Sequence, residues 1–227
     1  MTKISCVYTG ASPRMLENIE KELAKAITKP YILQHMTNPE IISRVAKANF
    51  ISDIDVADLI RSYTICMDSG SHIIVNVCSS VGDIADSARS VFSKAGVEII
   101  CIDDEMCKQA SLKHRKIGVM ATLRSTLEPT CRRLNRHAKE AGTTIEIMEL
   151  LADNTYGIEP SALSAILSQM AKENGDKLDA IILAQASMAM FEQDIAQMCD
   201  IPVYSSPRYC ALALSEIINN KKEGYKR

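Results

Sequence analysis

Cys78 stands where the apolar run HIIVNVCSSVGDIADSAR passes from strand-like to helix-like residues. The β-branched stretch from Ile73 to Val77 reads as a buried parallel strand, and Asp83 to Arg89 opens a helix after a turn of small residues. That puts a thiol at the carboxyl end of a strand, the edge where open α/β sheets bind their ligands. The N–H groups of the following helix favour an anion or a thiolate there. A thiol so placed can give a proton, take one, or attack as a nucleophile. The chain has eight cysteines, and the other seven (Cys6, Cys66, Cys101, Cys107, Cys131, Cys199 and Cys210) read as packing.

The elements that must position this thiol alternate along the chain. KISCVY precedes a helix from about Pro13, YILQH a helix from Asp55, IIVNVC a helix from Asp83, and VEIICI closes the first half. KIGVMA then leads into a helix from about Ser125, TTIEIMEL into one from about Pro160, DAIILA follows, and IPVYS precedes a final helix. Such alternation specifies an α/β protein with parallel sheets. The 227 residues exceed one small domain, and the two halves resemble each other. At an offset of 113, Lys3, Ile4, Thr9 and Ser12 map onto Lys116, Ile117, Thr122 and Ser125. At 107, Ile74, Cys78 and Ser80 map onto Ile181, Gln185 and Ser187, and at 103 ICIDD falls opposite VYSSP. The expected division puts residues 1–97 with 208–227 in one lobe, carrying Cys78, and 98–207 in the other, carrying Thr122 and Gln185. Lobes facing across a pseudo-twofold axis would set Cys78 and Gln185 on opposite sides of one ligand.

Composition removes several function classes. The 26 basic and 28 acidic residues are mixed, giving a formal charge of −2, so no basic stripe suits nucleic acid. No run approaches the ~18 apolar residues of a membrane span. MTKISCVYTG lacks the apolar stretch of a signal peptide, so the expected compartment is the reducing cytoplasm. No CxxC occurs, and His35, His72, His114 and His137 are scattered, so no metal site is expected; His72, His114 and His137 read as solvated surface. Neither GxGxxG nor GxxxxGK[ST] is present, and no cofactor is expected.

The segments YTGAS, VCSSVG, GVMATLRSTLEPT, LAQASM and IPVYSSPR together resemble the aspartate/glutamate/hydantoin racemase superfamily, whose relatives include maleate isomerases and arylmalonate decarboxylases. The resemblance covers nearly the whole chain, and GVMATLRST is its most specific part. It implies two pseudo-symmetric flavodoxin-like lobes, each a parallel sheet flanked by helices, with the active site in the cleft between them. It also implies a small carboxylate substrate and cofactor-independent proton transfer by two cysteines on opposite faces, in proteins that commonly form homodimers. An enolate-like charge needs preorganised donors. The corresponding positions here are Thr9, Gly10, Ser12, Ser79, Ser80, Thr122, Ser125, Thr126, Ala186 and Ser187, although helix capping also suits several of them. Arg14, Arg124 and Arg208 are candidate carboxylate contacts that also suit solvated surface.

The chain departs from the two-cysteine pattern at Gln185, which can hydrogen-bond but cannot shuttle a proton. YTGAS and LAQASM also lack the acidic residue and the His that support the thiols in the resemblance's glutamate racemases. Three readings remain. One is an isomerase- or decarboxylase-type enzyme using Cys78 for one-base or nucleophilic chemistry. A second is a two-base racemase or epimerase whose other base is a residue such as Tyr8. The third is a binding protein on the enzyme's scaffold.

Overall fold

The computed structural model describes residues 1–48 and 50–220. The first half runs β1 (Thr2–Tyr8), α1 (Pro13–Ala26), β2 (Tyr31–Thr37), α2 (Pro39–Ala48), α3 (Asp53–Asp68), β3 (Ile73–Asn76), a 3₁₀ turn (Ser79–Val81), α4 (Gly82–Lys94) and β4 (Glu98–Cys101). The second runs α5 (Asp104–Lys113), β5 (Lys116–Ala121), α6 (Arg124–Glu140), β6 (Glu146–Leu151), α7 (Pro160–Asn174) and β7 (Ala180–Leu183). A 3₁₀ turn (Ala186–Phe191), α8 (Glu192–Cys199), β8 (Val203–Ser205) and α9 (Ser206–Asn220) complete it.

The strands form two four-stranded sheets ordered β2-β1-β3-β4 and β6-β5-β7-β8, with every pairing parallel. The two-lobed α/β architecture is as the sequence predicts. The order reverses between β1 and β3 in one sheet and between β5 and β7 in the other, so each lobe has its switch point at matching strands. Central strands are buried throughout: Ile73 to Asn76 and Ala180 to Leu183 have no exposed residue. Helices cover them through one apolar face, as in α1, where Met15, Ile19 and Leu23 recur four apart and are buried.

The lobe division differs from the sequence-based boundary at 97/98. β4 pairs with β3, Ile73 opposite Glu98 through Asn76 opposite Cys101, so residues 98–101 complete the first sheet. The chain crosses after β4. Met106, Cys107 and Ala110 of α5 pack with Ile117, Leu127 and Leu134 in the second lobe. It crosses back after β8, where Cys210, Ala211, Leu214 and Ile218 of α9 join Ile4, Ile19 and Leu23 in the first. Each lobe is therefore closed by a helix that follows the other lobe's last strand. Helices α2 and α5 fall in stretches to which the sequence pattern assigned no element. Both are ten residues long and bury only a few side chains, Ile41 and Val45 in α2 and Met106, Cys107, Ala110 and Ser111 in α5.

Candidate active site between the lobes

Strand register brings the expected residues together in matched pairs. Val7 lies opposite Asn76, so Thr9 and Cys78 both lie two residues beyond a paired position, at adjacent strand ends. Met120 lies opposite Leu183, and Thr122 and Gln185 are likewise two residues further on. Cys78 and Gln185 each precede a 3₁₀ turn in the same extended backbone conformation, φ −122° and ψ 109° for one, φ −114° and ψ 133° for the other. The two positions are structural equivalents.

Their chemistry differs. The Gln185 side-chain oxygen accepts hydrogen bonds from the Thr122 backbone N–H (2.7 Å) and hydroxyl (2.9 Å), which fixes the amide and presents its NH₂ group as a donor. Cys78 is half-buried and packs against the core that contains Val7, Tyr63 and Val81. Burial pushes its thiol up from the usual 9.0, against the Thr9 hydroxyl, the Ser80 and Val81 N–H groups and the Ser80 hydroxyl, which favour the thiolate. The thiolate-favouring donors expected from the sequence are present, but enclosure outweighs them, and the resting group at neutral pH is the thiol. The thiol's backbone is held by a buried chain that the sequence did not single out: Tyr63 donates to Asn76 Oδ1 (3.0 Å), and Asn76 Nδ2 donates to the Cys78 carbonyl (2.8 Å). A lone Asn inside the apolar run IIVNVC was the available signal.

The remaining candidates divide between the two seams where the lobes meet. On one, the Ser80 hydroxyl lies 2.9 Å from that of Thr126 and 3.4 Å from that of Ser125, so both α6 hydroxyls face a first-lobe partner. Ser125 is the second residue of α6, which begins at Arg124. On the other seam, Ser12 caps α1 by accepting the Met15 N–H at 3.2 Å. Ser12, Arg14, Met15, Ala186, Ser187 and Met190 help line a cavity of about 270 Å³ there, and Ala186 also packs into the first lobe's core. Gly10 lies close to α2, where an added Cβ would sit 3.1 Å from Ile42 Cγ2. The Ser79 hydroxyl is buried without a protein partner. Arg14, Arg124 and Arg208 are exposed.

Tyr8, the alternative second base, is engaged within its own lobe. Its hydroxyl is 2.9 Å from His35 Nδ1, the ring lies in the core with α1 and α9, and burial raises its pKa far above the usual value. The surface reading of the histidines fails at His137, which is buried with Nε2 3.0 Å from Asp104 and Nδ1 3.3 Å from Glu140. His114 is also engaged, 2.8 Å from the Tyr204 hydroxyl. His137 belongs to an ion network on the Ser80 seam. Arg133, 2% exposed, reaches Asp86 of α4 (3.1 Å), Asp103 (3.2 Å) and Asp104 (2.9 Å). Arg136 adds contacts to Asp86 and Asp104, and Arg132 one to Asp83. Gly82 gives the guanidinium room, since a Cβ there would lie 2.7 Å from Arg133 Nη2 and push it from its place in the network. Another missed group, Glu192, opens α8 and accepts the Ser205 hydroxyl, and burial raises its pKa. Among the described residues no cluster of three or more His, Cys, Asp or Glu could hold a metal ion, and no helix is long and apolar enough to cross a membrane.

Two lobes with matched switch points define a two-lobed α/β protein whose equivalent strand ends lie where open α/β sheets bind their ligands. The chain belongs to the Asp/Glu/hydantoin racemase family, whose sequence profile matches residues 4–213. No match emerged among curated protein sequences. Similar solved structures include a glutamate racemase from Francisella tularensis in complex with D-glutamate, with TM-score 0.71, 15% identity, and coverage of 100% of this chain and 84% of that one. An allantoin racemase from Klebsiella pneumoniae gives TM-score 0.66 at 14% identity, covering 96% and 88%. An unliganded arylmalonate decarboxylase gives 0.60 at 12%, covering 100% and 98%.

Proposed function

We propose that the protein is a cofactor-independent enzyme that moves a proton on one face of the carbon beside a small substrate's carboxylate, with Cys78 as the group that carries it. The observation that carries this reading is the inequality of two equivalent positions: a thiol at Cys78 and, at Gln185, an amide pinned by Thr122. Inverting a carbon centre needs an acid on one face and a base on the other. Of the two equivalent turn positions, Cys78 carries a transferable proton and Gln185 does not, and the Tyr8 hydroxyl is engaged by His35.

A resting thiol suits a reaction that ends in protonation. When a bond to the carbon breaks and its electron pair enters the adjoining carboxylate, the thiol donates its proton to that carbon. The resulting thiolate is met by the Thr9 hydroxyl and the Ser80 and Val81 N–H groups. The Gln185 NH₂ is available to orient the substrate. The bond that breaks can be C–C, as in a decarboxylase, where carbon dioxide leaves and the thiol's proton takes its place; where it is C–H, as in an isomerase, the thiol first loses its proton to solvent, the thiolate takes the carbon's proton, and the thiol so formed returns a proton on the same face. The similarity to racemases and to arylmalonate decarboxylase is compatible with both.

The test is proton exchange in heavy water across a panel of small α-substituted carboxylates and malonates, followed by NMR. The expected result is deuterium delivered to one face of one substrate class, and its loss in Cys78→Ala. Equal exchange on both faces, or full activity in Cys78→Ala, contradicts the reading.

A further inference from the structure

The turns that carry Cys78 and Gln185 share a backbone plan but close differently. At the sequence offset of 107, Val81 corresponds to Met188 and Asn76 to Leu183. In the second lobe the Met188 N–H donates to the Gln185 carbonyl at 2.9 Å, and Leu183 is an apolar, fully buried strand residue. In the first lobe the matching bond, from the Val81 N–H to the Cys78 carbonyl, is 3.3 Å long, and the Asn76 side chain donates to the same carbonyl at 2.8 Å. The amide stands in for a backbone bond that this turn makes poorly.

A carbonyl can only accept, so the Asn76 NH₂ must face it, and Oδ1 is left to accept the Tyr63 hydroxyl at 3.0 Å. Tyr63 is 0% and Asn76 1% exposed, so water does not compete for either bond. Burial raises the Tyr63 pKa well above 10.0, and the hydroxyl keeps the proton it donates. The Tyr63 ring is held by α3 and by an edge-on contact with Phe92, 5.9 Å between centroids. An asparagine in a buried strand carries a desolvation cost that Leu183 avoids. Its Oδ1 and Nδ2 are both engaged, and the one group they act on outside the Tyr63 pair is the Cys78 carbonyl.

We propose that Asn76 is a positioning residue for Cys78: it pins the carbonyl of the thiol's own residue and thereby the direction in which the thiol points, with Tyr63 fixing the amide from α3. The inference deepens the reading of Cys78 as the proton-carrying group and rests on it. Carbonyl and Cβ share one Cα, so pinning the first limits where the second can aim. The Gln185 side chain is held directly by Thr122, whereas Cys78 is placed through its backbone. The different ψ of the two equivalent residues, 109° at Cys78 and 133° at Gln185, follows, since among the described residues only the first has a side chain bonded to its carbonyl.

The test is alkylation of Cys78 by iodoacetate, a small carboxylate whose reacting carbon lies beside the carboxylate, on the intact protein at mildly alkaline pH. Each cysteine is followed by mass spectrometry. The thiol's proton goes to buffer, the sulfur bonds to that carbon, and the C–I bond breaks with loss of iodide. In wild type the Cys78 rate should saturate with iodoacetate, giving a maximal rate and a half-saturating concentration. Asn76→Leu combined with Tyr63→Phe replaces both polar partners by apolar groups, as at Leu183, and strands neither of them. The urea midpoint of this double variant should stay close to wild type while the maximal rate falls about tenfold at an unchanged half-saturating concentration, because a misaimed thiol reacts poorly without weakening carboxylate binding. Tyr63→Phe alone leaves the amide present but unfixed and should lower the maximal rate about threefold, and it decides the matter if the double variant does not fold. A purely structural role would make the rate follow stability. A wild-type maximal rate in either folded variant overturns the inference and leaves Cys78 as the reactive group. A wild-type Cys78 that does not saturate with iodoacetate overturns both.

Discussion

The two seams between the lobes are built on the same backbone plan and filled with opposite chemistry. On the Cys78 side, α6 is joined to the first lobe by the Ser80–Thr126 contact and by Arg132, Arg133 and Arg136 on Asp83 and Asp86 of α4, with Asp103 and Asp104 from the crossover completing the network. On the Gln185 side, α1 meets the equivalent turn around a cavity of about 270 Å³, with exposed Arg14, Glu17 and Lys21 at its wall. Duplicated architecture has therefore preserved strand ends and turns while the contacts between lobes diverged. One half is tied together beside the Cys78 thiol, and the other keeps space beside the Gln185 amide. On the proposed function, this difference is what would make a pseudo-symmetric scaffold treat the two faces of one ligand unequally.

The largest expected effect breaks the fixed seam. Arg133→Ala leaves Asp86, Asp103 and Asp104 without their buried counter-charge and should cost about 3–5 kcal/mol in urea unfolding, because removing one partner of a buried network strands the others. Arg14→Ala, in the open seam, should change stability by less than about 0.5 kcal/mol. Equal losses for the two would remove the asymmetry.

Acid should act on the same seam. Burial pushes the Asp104 carboxyl up, but the His137 hydrogen bond and the Arg89 and Arg133 charges outweigh it and hold it well below the ordinary 3.8. A depressed folded-state pKa contributes stability that is full above the unfolded value and lost as pH falls through the folded one. Stability should decline as pH is lowered below about 4, and Asp104→Asn should flatten that decline while lowering stability at pH 7. A wild-type acid limb identical to that of Asp104→Asn would contradict the assignment.

A smaller effect is expected at the second turn. Gln185→Ala should weaken substrate binding or turnover by about 1–3 kcal/mol if its bonded group is left unpaired, measured as kcat/KM. Ser187→Ala, at an exposed residue on the cavity wall, should change it by no more than about 0.5 kcal/mol. A larger effect at Ser187 than at Gln185 would move substrate orientation from the amide to the cavity.

Much of this site could be read from local pattern. The passage from β-branched strand to small-residue turn located both Cys78 and Gln185, and their common backbone follows from it. Ser12 was legible as a cap for the same local reason. What the pattern missed depends on residues distant in the chain. His137 sits among basic neighbours in sequence and reads as surface, yet its partner Asp104 comes from 33 residues away. The Cys78 donors follow from the turn, but the enclosure that outweighs them comes from packing against Val7 and Tyr63, which local sequence does not encode. The boundary at 97/98 failed because an edge strand declares its sheet only through its partner, and β4 pairs with β3.

The central claim is that the Gln185 position decides whether the second face of the substrate exchanges. Deuterium incorporation into a chiral α-carboxylate that the wild type turns over should be compared between wild type and Gln185→Cys, with each face resolved by NMR. The account predicts one-face exchange in the wild type and new or increased exchange on the opposite face in Gln185→Cys. Wild-type exchange on both faces at equal rates, unaffected by either Gln185→Cys or Gln185→Ala, would contradict it.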